Sequence, residues 1–505
     1  MTRRLFTNGT IRTVVDDGDP DWVLVDEDRI VGVGAFSDSP DADEIVDLDG
    51  GTLVPSFCDA HVHLPATGLQ AAGLDLRSER SVDAIVAAFR ERASTGSILY
   101  GGNFEDPLDR PLTRHDLDDA VGPRPALMSR ADLHSCIVST ALLDALDIAD
   151  LPGVDRDADG APTGYLREQA AGAAWRWFDA NLSLDQQSAA VNAAAGRCYS
   201  KGVTSVHEMY VVEWRGWNSL DVFLSVASGL ALEVVVYVGT LDVEAVAARR
   251  LPRIGGDLFL DGSFGSHTAW LSEPYEGAAP SGSSPTGISY RSDDKLFDMF
   301  VSAQEVGLQV GVHAIGDAAI EQAITTWERV ADKVGPDAVR AGAHRIEHFE
   351  CATDDHIARA ARLGLTGSVQ PAFDRLWGGS DGLYARRIGA GRAAGMNRFR
   401  SMLDAGMVLG AGSDSTVTPL DPFLQMASLR DHHMPDQSVG GRVALMLHTY
   451  GSRLLAGAEP DAGYLAPGAR ADLAWLDTDP VTAEPGALLD TEVLGTWIGG
   501  QRIWP

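Results

Sequence analysis

Two histidines in the segment FCDAHVHLP, His61 and His63, are separated by a single residue. If the chain forms a β-strand there, successive side chains alternate between faces, so both imidazoles project to the same side. Two imidazole nitrogens on one face are suited to share a metal. The spacing therefore raises two questions: whether these residues bind metal, and whether they serve one ion or two.

Three further side chains of metal-binding type follow other short apolar runs, namely His313, His348 and Asp414. A lone histidine is usually structural, but five such side chains at predicted strand ends are hard to explain in that way. Catalytic zinc takes imidazole and carboxylate ligands and lowers the pKa of a bound water towards about 7. We therefore predict a hydrolytic metal site, with Asp414 as the general base that deprotonates water and later protonates the leaving group.

The elements that must position these ligands are short apolar runs, each ending in polar or small residues and followed by a helical stretch. In chain order they are LVPSFCDAHVHL, GVTSVHEMY, LEVVVYVG, GGDLFLDGS, GLQVGVHAIGD, HRIEHFE, GLTGSVQPAF and GMVLGAGSD. Strands that alternate with helices indicate parallel βαβ units, and eight of them predict a (β/α)₈ barrel of the TIM type. Active sites of such barrels lie at the C-terminal ends of the strands, where the ligand candidates stand.

The chain ends have a different texture, with short alternating runs broken by Gly and Asp, which predicts small antiparallel sheets. We predict a β-sandwich built from residues 1–55 and 456–505, with the hydrolase barrel over residues 56–455. Residues from about 65 to 200 are too many for one βα connection, so we predict an insertion after strand 1 that covers the barrel mouth.

Composition limits the environment and the partners. The 505-residue chain has 72 acidic and 40 basic residues, a formal net charge of −32, which disfavours a nucleic-acid or anionic-membrane partner. The high acidic content fits a halophilic or a high-GC source, and composition does not choose between them. Four scattered cysteines indicate reduced thiols, and no signal peptide or 18-residue apolar segment occurs, so we predict a cytoplasmic protein. Its partner is a small-molecule substrate, and a homodimer is left open.

The chain resembles the amidohydrolase superfamily, and within it amidohydrolase family 3, which includes N-substituted formamide deformylase. The resemblance rests on LVPSFCDAHVHL, DGAPTGYLRE, LFLDGSFGSHTAWLSEPY, VHAIGDAAI, HRIEHFE, SVQP, GSDSTVTPLDP and GYLAPGARADLAWLD, which cover nearly the whole chain in order. It implies the barrel, the terminal β-sandwich, and a zinc-dependent hydrolase acting on carbon–nitrogen bonds other than peptide bonds.

By this resemblance, His61 and His63 are the metal ligands of strand 1, His313 and His348 those of strands 5 and 6, and Asp414 that of strand 8. His348 has a second, catalytic role in stabilising the oxyanion. Relatives commonly carry a lysine four residues before the DG of strand 4, and two-metal members use it, carboxylated, as a bridge. Here that position is Asp257.

The aspartate leaves two interpretations open. Asp257 either ligates metal in place of the missing carbamate or caps a strand edge, and the site holds one or two ions of zinc or another divalent metal. If it holds one ion, His348 is free to polarise the substrate carbonyl.

Several residues on or near the matched segments are candidates for substrate binding. They are Phe104, Glu105, His134, Glu168, Phe264, His267, Arg345 and Gln370. Many relatives have arginine at the position of His267, and arginine favours an anionic substrate by bidentate pairing, so histidine makes that demand weaker.

The leading hypothesis is a metal-dependent amidohydrolase that cleaves an amide, formamide or cyclic amide of a small molecule. Two alternatives remain open. The same site suits a deaminase or an ester or lactone hydrolase, and the missing strand 4 lysine leaves room for a non-catalytic binding protein.

Overall fold

The computed structural model describes residues 2–14, 18–95, 99–105, 107–131, 133–148, 151–276, 284–457 and 460–505. Its central feature is a sheet of eight parallel strands in which each strand pairs with the next along the chain. In chain order these barrel strands are Phe57–Val62, Val203–Tyr210, Glu233–Val238, Arg253–Ile254, Gln309–Ala314, Arg345–His348, Thr366–Val369 and Leu409–Ala411. The predicted α/β barrel is thereby confirmed.

Backbone contacts beyond the eighth strand bring the sheet back to the first. The Asp414 amide donates to the His61 carbonyl at 2.8 Å, and the His63 amide donates to the Ser415 carbonyl at 2.9 Å. Val62 and Ser415 are paired in parallel register. The barrel therefore closes at the residues that the sequence singled out as ligands.

The fourth barrel strand ends early, at two successive glycines. Gly255 and Gly256 have φ angles of +86° and +70°, which residues with a Cβ atom rarely adopt. A Cβ atom on Gly255 would also lie only 1.9 Å from the carbonyl oxygen of Gly311. After this break the chain rejoins the sheet where Phe259 bridges to His313. The glycines thus let Asp257 approach the neighbouring strand closely.

Helices surround the barrel and cover the apolar outer face of its strands. These helices are Leu184–Ser200, which leads into barrel strand 2, and then Val212–Arg215, Trp217–Ala227, Val243–Ala248, Asp293–Glu305, Asp317–Val334, Pro336–Ala341, Asp354–Leu363, Pro371–Trp377, Leu383–Ala393, Phe399–Asp404, Pro422–Arg430, Gly441–Leu447 and Tyr450–Leu454, with a 3₁₀ turn at Pro435–Gln437. In the core, Trp327 is fully buried between the rings of Phe300 at 4.3 Å and His344 at 3.9 Å.

Two sheets from the chain ends pack against each other beside the barrel. One consists of Arg3–Thr7, Trp22–Asp26, Arg29–Gly34 and Glu44–Asp47, and the other of Thr10–Ile11, Thr52–Pro55, Leu473–Leu476, Val493–Ile498 and Gln501–Trp504. A 3₁₀ turn at Phe36–Asp38 and a short helix at Pro485–Leu488 complete these regions. Phe6 and Trp497 meet edge to face at 5.1 Å, so the N- and C-terminal segments share one core.

The segment between the first and second barrel strands contains a sheet. Only helices were predicted there from the sequence. Its strands are Leu74–Asp75, Tyr100–Phe104, Leu127–Arg130, Ser135–Val138, Val154–Arg156 and Pro162–Arg167, and its helices Leu64–Ala72, Val82–Thr95, Arg114–Val121, Thr140–Leu143 and Glu168–Asn181. Arg77 donates to the carbonyls of Thr416 and Val417, which ties this insertion to the loop after barrel strand 8.

Over the described ranges, none of the helices combines the length and the apolar character that crossing a membrane requires.

The buried stack around Trp327 leads to a prediction on stability. Trp327→Ala removes an indole that no solvent reaches, so we expect the free energy of unfolding to fall by about 3–5 kcal/mol. Denaturant titration followed by circular dichroism measures this. Leu184→Ala, at a side chain that is 65% exposed, is the control and should change stability by less than about 0.5 kcal/mol. Equal effects of the two substitutions would contradict the assignment of this core.

Candidate metal centre

Side-chain atoms from barrel strands 1 and 8 and from the loop after strand 4 converge at the C-terminal end of the barrel. His63 Nε2 lies 3.1 Å from Asp257 Oδ2 and 3.2 Å from Asp414 Oδ1, and His61 Nε2 lies 3.5 Å from each of these oxygens. Ligand atoms about 2.0–2.1 Å from one tetrahedral ion lie about 3.3–3.4 Å apart. These four atoms therefore have the mutual spacing of a single coordination shell.

The other carboxylate oxygen of Asp257 faces a second pair of histidines. Its Oδ1 lies 3.5 Å from His313 Nδ1 and 3.6 Å from His348 Nε2. The Asp257 carboxylate thus stands between two donor groups, with one oxygen towards each. All six predicted ligand residues are brought together.

Five of these ligand atoms are buried and have no hydrogen-bond partner among the described residues: His61 Nε2, Asp257 Oδ1, His313 Nδ1, His348 Nε2 and Asp414 Oδ1. Unsatisfied buried polar atoms are costly and rare, so five at one point require an explanation. A bound divalent cation would satisfy all of them at once, and the mixture of imidazole and carboxylate matches the donors of catalytic zinc sites.

The electrostatics of the cluster favour positive charge at its centre. Burial opposes protonation of His61, but the carboxylates of Asp257 and Asp414 outweigh it and raise its pKa well above the usual value. Burial also opposes ionisation of Asp257, yet His61, His313 and His348 hold the pKa of that carboxyl well below its ordinary value. The Asp257 carboxylate therefore remains ionised and attracts cations.

A hydrogen bond on the far nitrogen of each histidine fixes which nitrogen faces the cluster. His61 Nδ1 donates to Glu347 at 3.0 Å, His63 Nδ1 to the Met209 carbonyl at 3.1 Å, and His348 Nδ1 to the Gln370 side-chain oxygen at 2.8 Å. His313 is reversed, since its Nε2 donates to the Gly262 carbonyl at 3.3 Å. When the outer nitrogen carries the proton of the neutral ring, the other nitrogen faces the cluster unprotonated, which is the metal-binding form.

Behind His61 lies a buried ion pair between Glu347 and Arg345. The guanidinium donates to both carboxylate oxygens at 2.7 Å and also to the Ala60 carbonyl and to His207 Nδ1, each at 2.8 Å. Burial disfavours the charged carboxylate, but Arg345 and His61 lower the pKa of Glu347 to about 2. Arg345, which was a substrate-binding candidate, is therefore positioned behind a ligand rather than at the cavity surface.

A cavity of about 1180 Å³, including its opening to solvent, lies above the cluster. Five of the six predicted ligands line it, His61 being the one behind. Of the substrate-binding candidates, Glu105, His134 and Phe264 also line it. The first two belong to the insertion, which therefore reaches over the barrel mouth.

The other substrate-binding candidates lie away from this surface. Phe104 is fully buried in the core of the insertion, against the Tyr165 ring. Gln370 lies behind His348, and His267 packs against Tyr275, with burial and Arg387 lowering its pKa to about 4. Glu168 accepts a hydrogen bond from His134 Nδ1 at 3.1 Å and faces an adjoining cavity.

Most residues of the cavity wall were not predicted from the sequence. It includes the aromatic residues Trp175, Trp214, Phe259, Phe373, Trp377 and Tyr384, together with Glu350, Arg130, Arg215 and Arg386. Glu350 stands in the segment HRIEHFE two residues after a ligand, and that adjacency was a usable signal. The aromatic residues come mainly from helices and loops and follow no spacing rule.

The family model described as "Amidohydrolase family" matches residues 44–504. The chain is 28% identical over 544 aligned positions to the putative amidohydrolase YtcJ of Bacillus subtilis (strain 168), covering 99% of each protein. It is 25% identical to the N-substituted formamide deformylase of Arthrobacter pascens, covering 99% of this chain and 98% of the relative. Among solved structures, an uncharacterized metal-dependent hydrolase from Pyrococcus furiosus superposes with a TM-score of 0.75 at 27% identity, over 95% of this chain and all of that one (100%).

The contact between Glu347 and His61 generates a prediction on metal affinity. Glu347→Gln leaves the Arg345 guanidinium buried without its counter-charge and weakens the hold on His61. We expect the free energy of unfolding to fall by about 3–5 kcal/mol and metal affinity to fall about 10–100-fold. Chelator competition measures the affinity.

Glu328→Gln is the matched control, because Glu328 pairs with Arg359 near the surface. Its cost should stay below about 1 kcal/mol, with metal affinity unchanged. Unaltered metal affinity in the folded Glu347→Gln protein would show that this contact does not orient the ligand.

Proposed function

The chain belongs to the amidohydrolase family, and on that premise we propose that it hydrolyses a carbon–nitrogen bond of a small molecule, in an amide, a formamide or a cyclic amide. The family and the likeness to a metal-dependent hydrolase make the chain a hydrolase of this superfamily. The observation that carries the proposal is the convergence of six histidine and aspartate side chains around Asp257 at the floor of a cavity.

We propose zinc as the metal, because the donors are imidazoles and carboxylates without thiolate. His61, His63 and Asp414 would hold it on one side of Asp257, and His313 and His348 on the other. The Asp257 oxygens face these two groups separately, so Asp257 would serve both of them in the position that a carboxylated lysine takes in two-metal relatives. A bound zinc ion supplies Lewis acidity and lowers the pKa of a coordinated water towards about 7.

Asp414 is the proposed general base. Its carboxylate lines the cavity, and its backbone is fixed by the hydrogen bond to the His61 carbonyl. It takes the proton from the attacking water and returns it to the leaving nitrogen, which must be protonated because an amide anion is a poor leaving group. The carboxylate therefore acts twice within one turnover.

His348 is the proposed stabiliser of the oxyanion that forms at the carbonyl oxygen. It lines the cavity, and the hydrogen bond to Gln370 and the parallel ring of Phe373 hold its imidazole in place. Because Nδ1 is committed to Gln370, Nε2 would act on the oxyanion through the metal that it would hold, and a positive centre fixed before the reaction stabilises the developing charge without reorganisation.

We also propose that the protein acts in the cytoplasm on a small-molecule substrate. Its four cysteines are free in the structure, and the acidic composition disfavours nucleic acid.

The decisive experiment is a hydrolysis screen of N-formyl, N-acyl and cyclic amides with and without chelator. We expect at least one class to be cleaved, with loss of activity on chelation and recovery on addition of zinc. Asp414→Asn should lower kcat by at least about 100-fold, because it removes the base. Cleavage of esters or release of ammonia from a ring amine, with no cleavage of acyclic or cyclic amides, would contradict the proposed bond class.

The position of Asp257 generates a separate prediction on metal content. Wild type should hold two ions per chain, and Asp257→Asn should lose at least one of them, because a neutral amide is a poor bridge between cations. Elemental analysis of the purified protein measures this, independently of activity. Glu305→Gln, which removes one exposed charge, is the control. Unchanged metal content and activity in Asp257→Asn would rule out Asp257 as a ligand.

A further inference from the structure

One wall of the cavity is built from four aromatic side chains, which we call the aromatic cage: Phe264, Phe373, Trp377 and Tyr384. The Phe264 and Tyr384 rings meet edge to face at 5.3 Å, Phe373 and Trp377 lie 4.7 Å apart, and Trp377 and Tyr384 lie 6.4 Å apart. The cage is continuous with the metal centre, since Phe373 lies parallel to the His348 ring at 6.1 Å.

Glu350 lines the same cavity, and its residue is only 3% exposed. Its buried Oε2 has no hydrogen-bond partner, and within the part of the chain that the structure describes no basic side chain forms an ion pair with it. The buried Tyr384 hydroxyl lies beside this carboxyl and interacts with it. A buried carboxylate that pairs with no basic side chain is costly, so in a cavity wall it is available to a cationic group of a bound ligand.

The combination of the aromatic cage with this carboxylate is selective for one class of ligand. Aromatic faces attract organic cations through their quadrupoles, and such cages are the usual recognition element for ammonium groups. Aromatic rings alone would accept any apolar group, but the buried carboxylate penalises a ligand that leaves it uncompensated. A neutral hydrogen-bond donor would satisfy the oxygen without balancing its charge.

We propose that the aromatic cage binds an organic ammonium group of the substrate, with Glu350 as its counter-charge. The substrate is then an amide or formamide that carries a cationic amine. Glu350 follows the ligand His348 by two residues, a backbone distance of at most about 7 Å. The ammonium group is therefore separated from the scissile carbonyl by a short chain.

This inference rests on the proposed function for its substrate, but binding tests it separately. The probe is tetramethylammonium, titrated into the metal-loaded protein by calorimetry. We expect saturable binding to wild type and at least about tenfold weaker binding to Glu350→Gln. Glu305→Gln, an exposed charge removal on the helix Asp293–Glu305, should bind as wild type does.

The kinetic test uses a pair of N-formyl amides that differ only in a trimethylammonium or a tert-butyl group, which have the same shape. Wild type should prefer the cationic member by about tenfold or more in kcat/KM, and Glu350→Gln should bring this ratio close to one. Trp377→Leu keeps the carboxylate but removes one cage ring, so it should lower the ratio by about threefold. It serves as the second variant if Glu350→Gln does not fold.

The outcomes separate the two proposals. Equal kcat/KM for the two amides together with no saturable tetramethylammonium binding would overturn the ammonium site while leaving the hydrolase intact. Tetramethylammonium binding that requires Glu350, in a protein that cleaves no amide, would support the site and count against the proposed reaction. Selectivity that survives in both variants would place cation recognition elsewhere in the cavity.

Discussion

The carboxylate of Asp257 connects the two halves of the candidate metal centre, and the arrangement of the site depends on it. Its two oxygens face different histidine groups, at 3.1 and 3.5 Å on one side and at 3.5 and 3.6 Å on the other. An aspartate side chain is shorter than a carboxylated lysine, so the backbone must come closer to compensate. The paired glycines at 255 and 256 permit that approach, because a Cβ at Gly255 would collide with the neighbouring strand.

The ligands were predictable from sequence because a parallel barrel places the C-terminal ends of all its strands at one edge. Side-chain type and strand position alone were therefore enough to bring His61, His63, His313, His348 and Asp414 together. The orientation of each ring was not predictable, since it depends on partners distant in the chain, such as Met209 for His63. Arg345 illustrates the same limit: it stands three residues before the predicted ligand His348 but points away from the cavity, towards Glu347.

The cavity wall was less predictable than the floor. Its aromatic residues come from the insertion, from the segment after strand 4 and from helices after strands 2 and 7, and nothing in their local spacing distinguishes them from core residues. Phe104, a candidate for substrate binding from the sequence, has its ring fully buried in the insertion. The mixed sheet of the insertion was not predicted because its strands are only two to six residues long and lie between helices.

The hydrogen bonds that close the barrel join the backbones of residues 61, 63, 414 and 415, and three of these four residues carry predicted ligand side chains. The two segments that close the barrel therefore also carry ligand side chains of the candidate metal centre. By thermodynamic linkage, a metal ion that binds at the cluster also stabilises these closing hydrogen bonds. Strain that breaks the hydrogen bonds correspondingly weakens metal binding. The barrel and its candidate metal site are in this sense one cooperative unit, and Arg77 joins the insertion to it through the carbonyls of Thr416 and Val417.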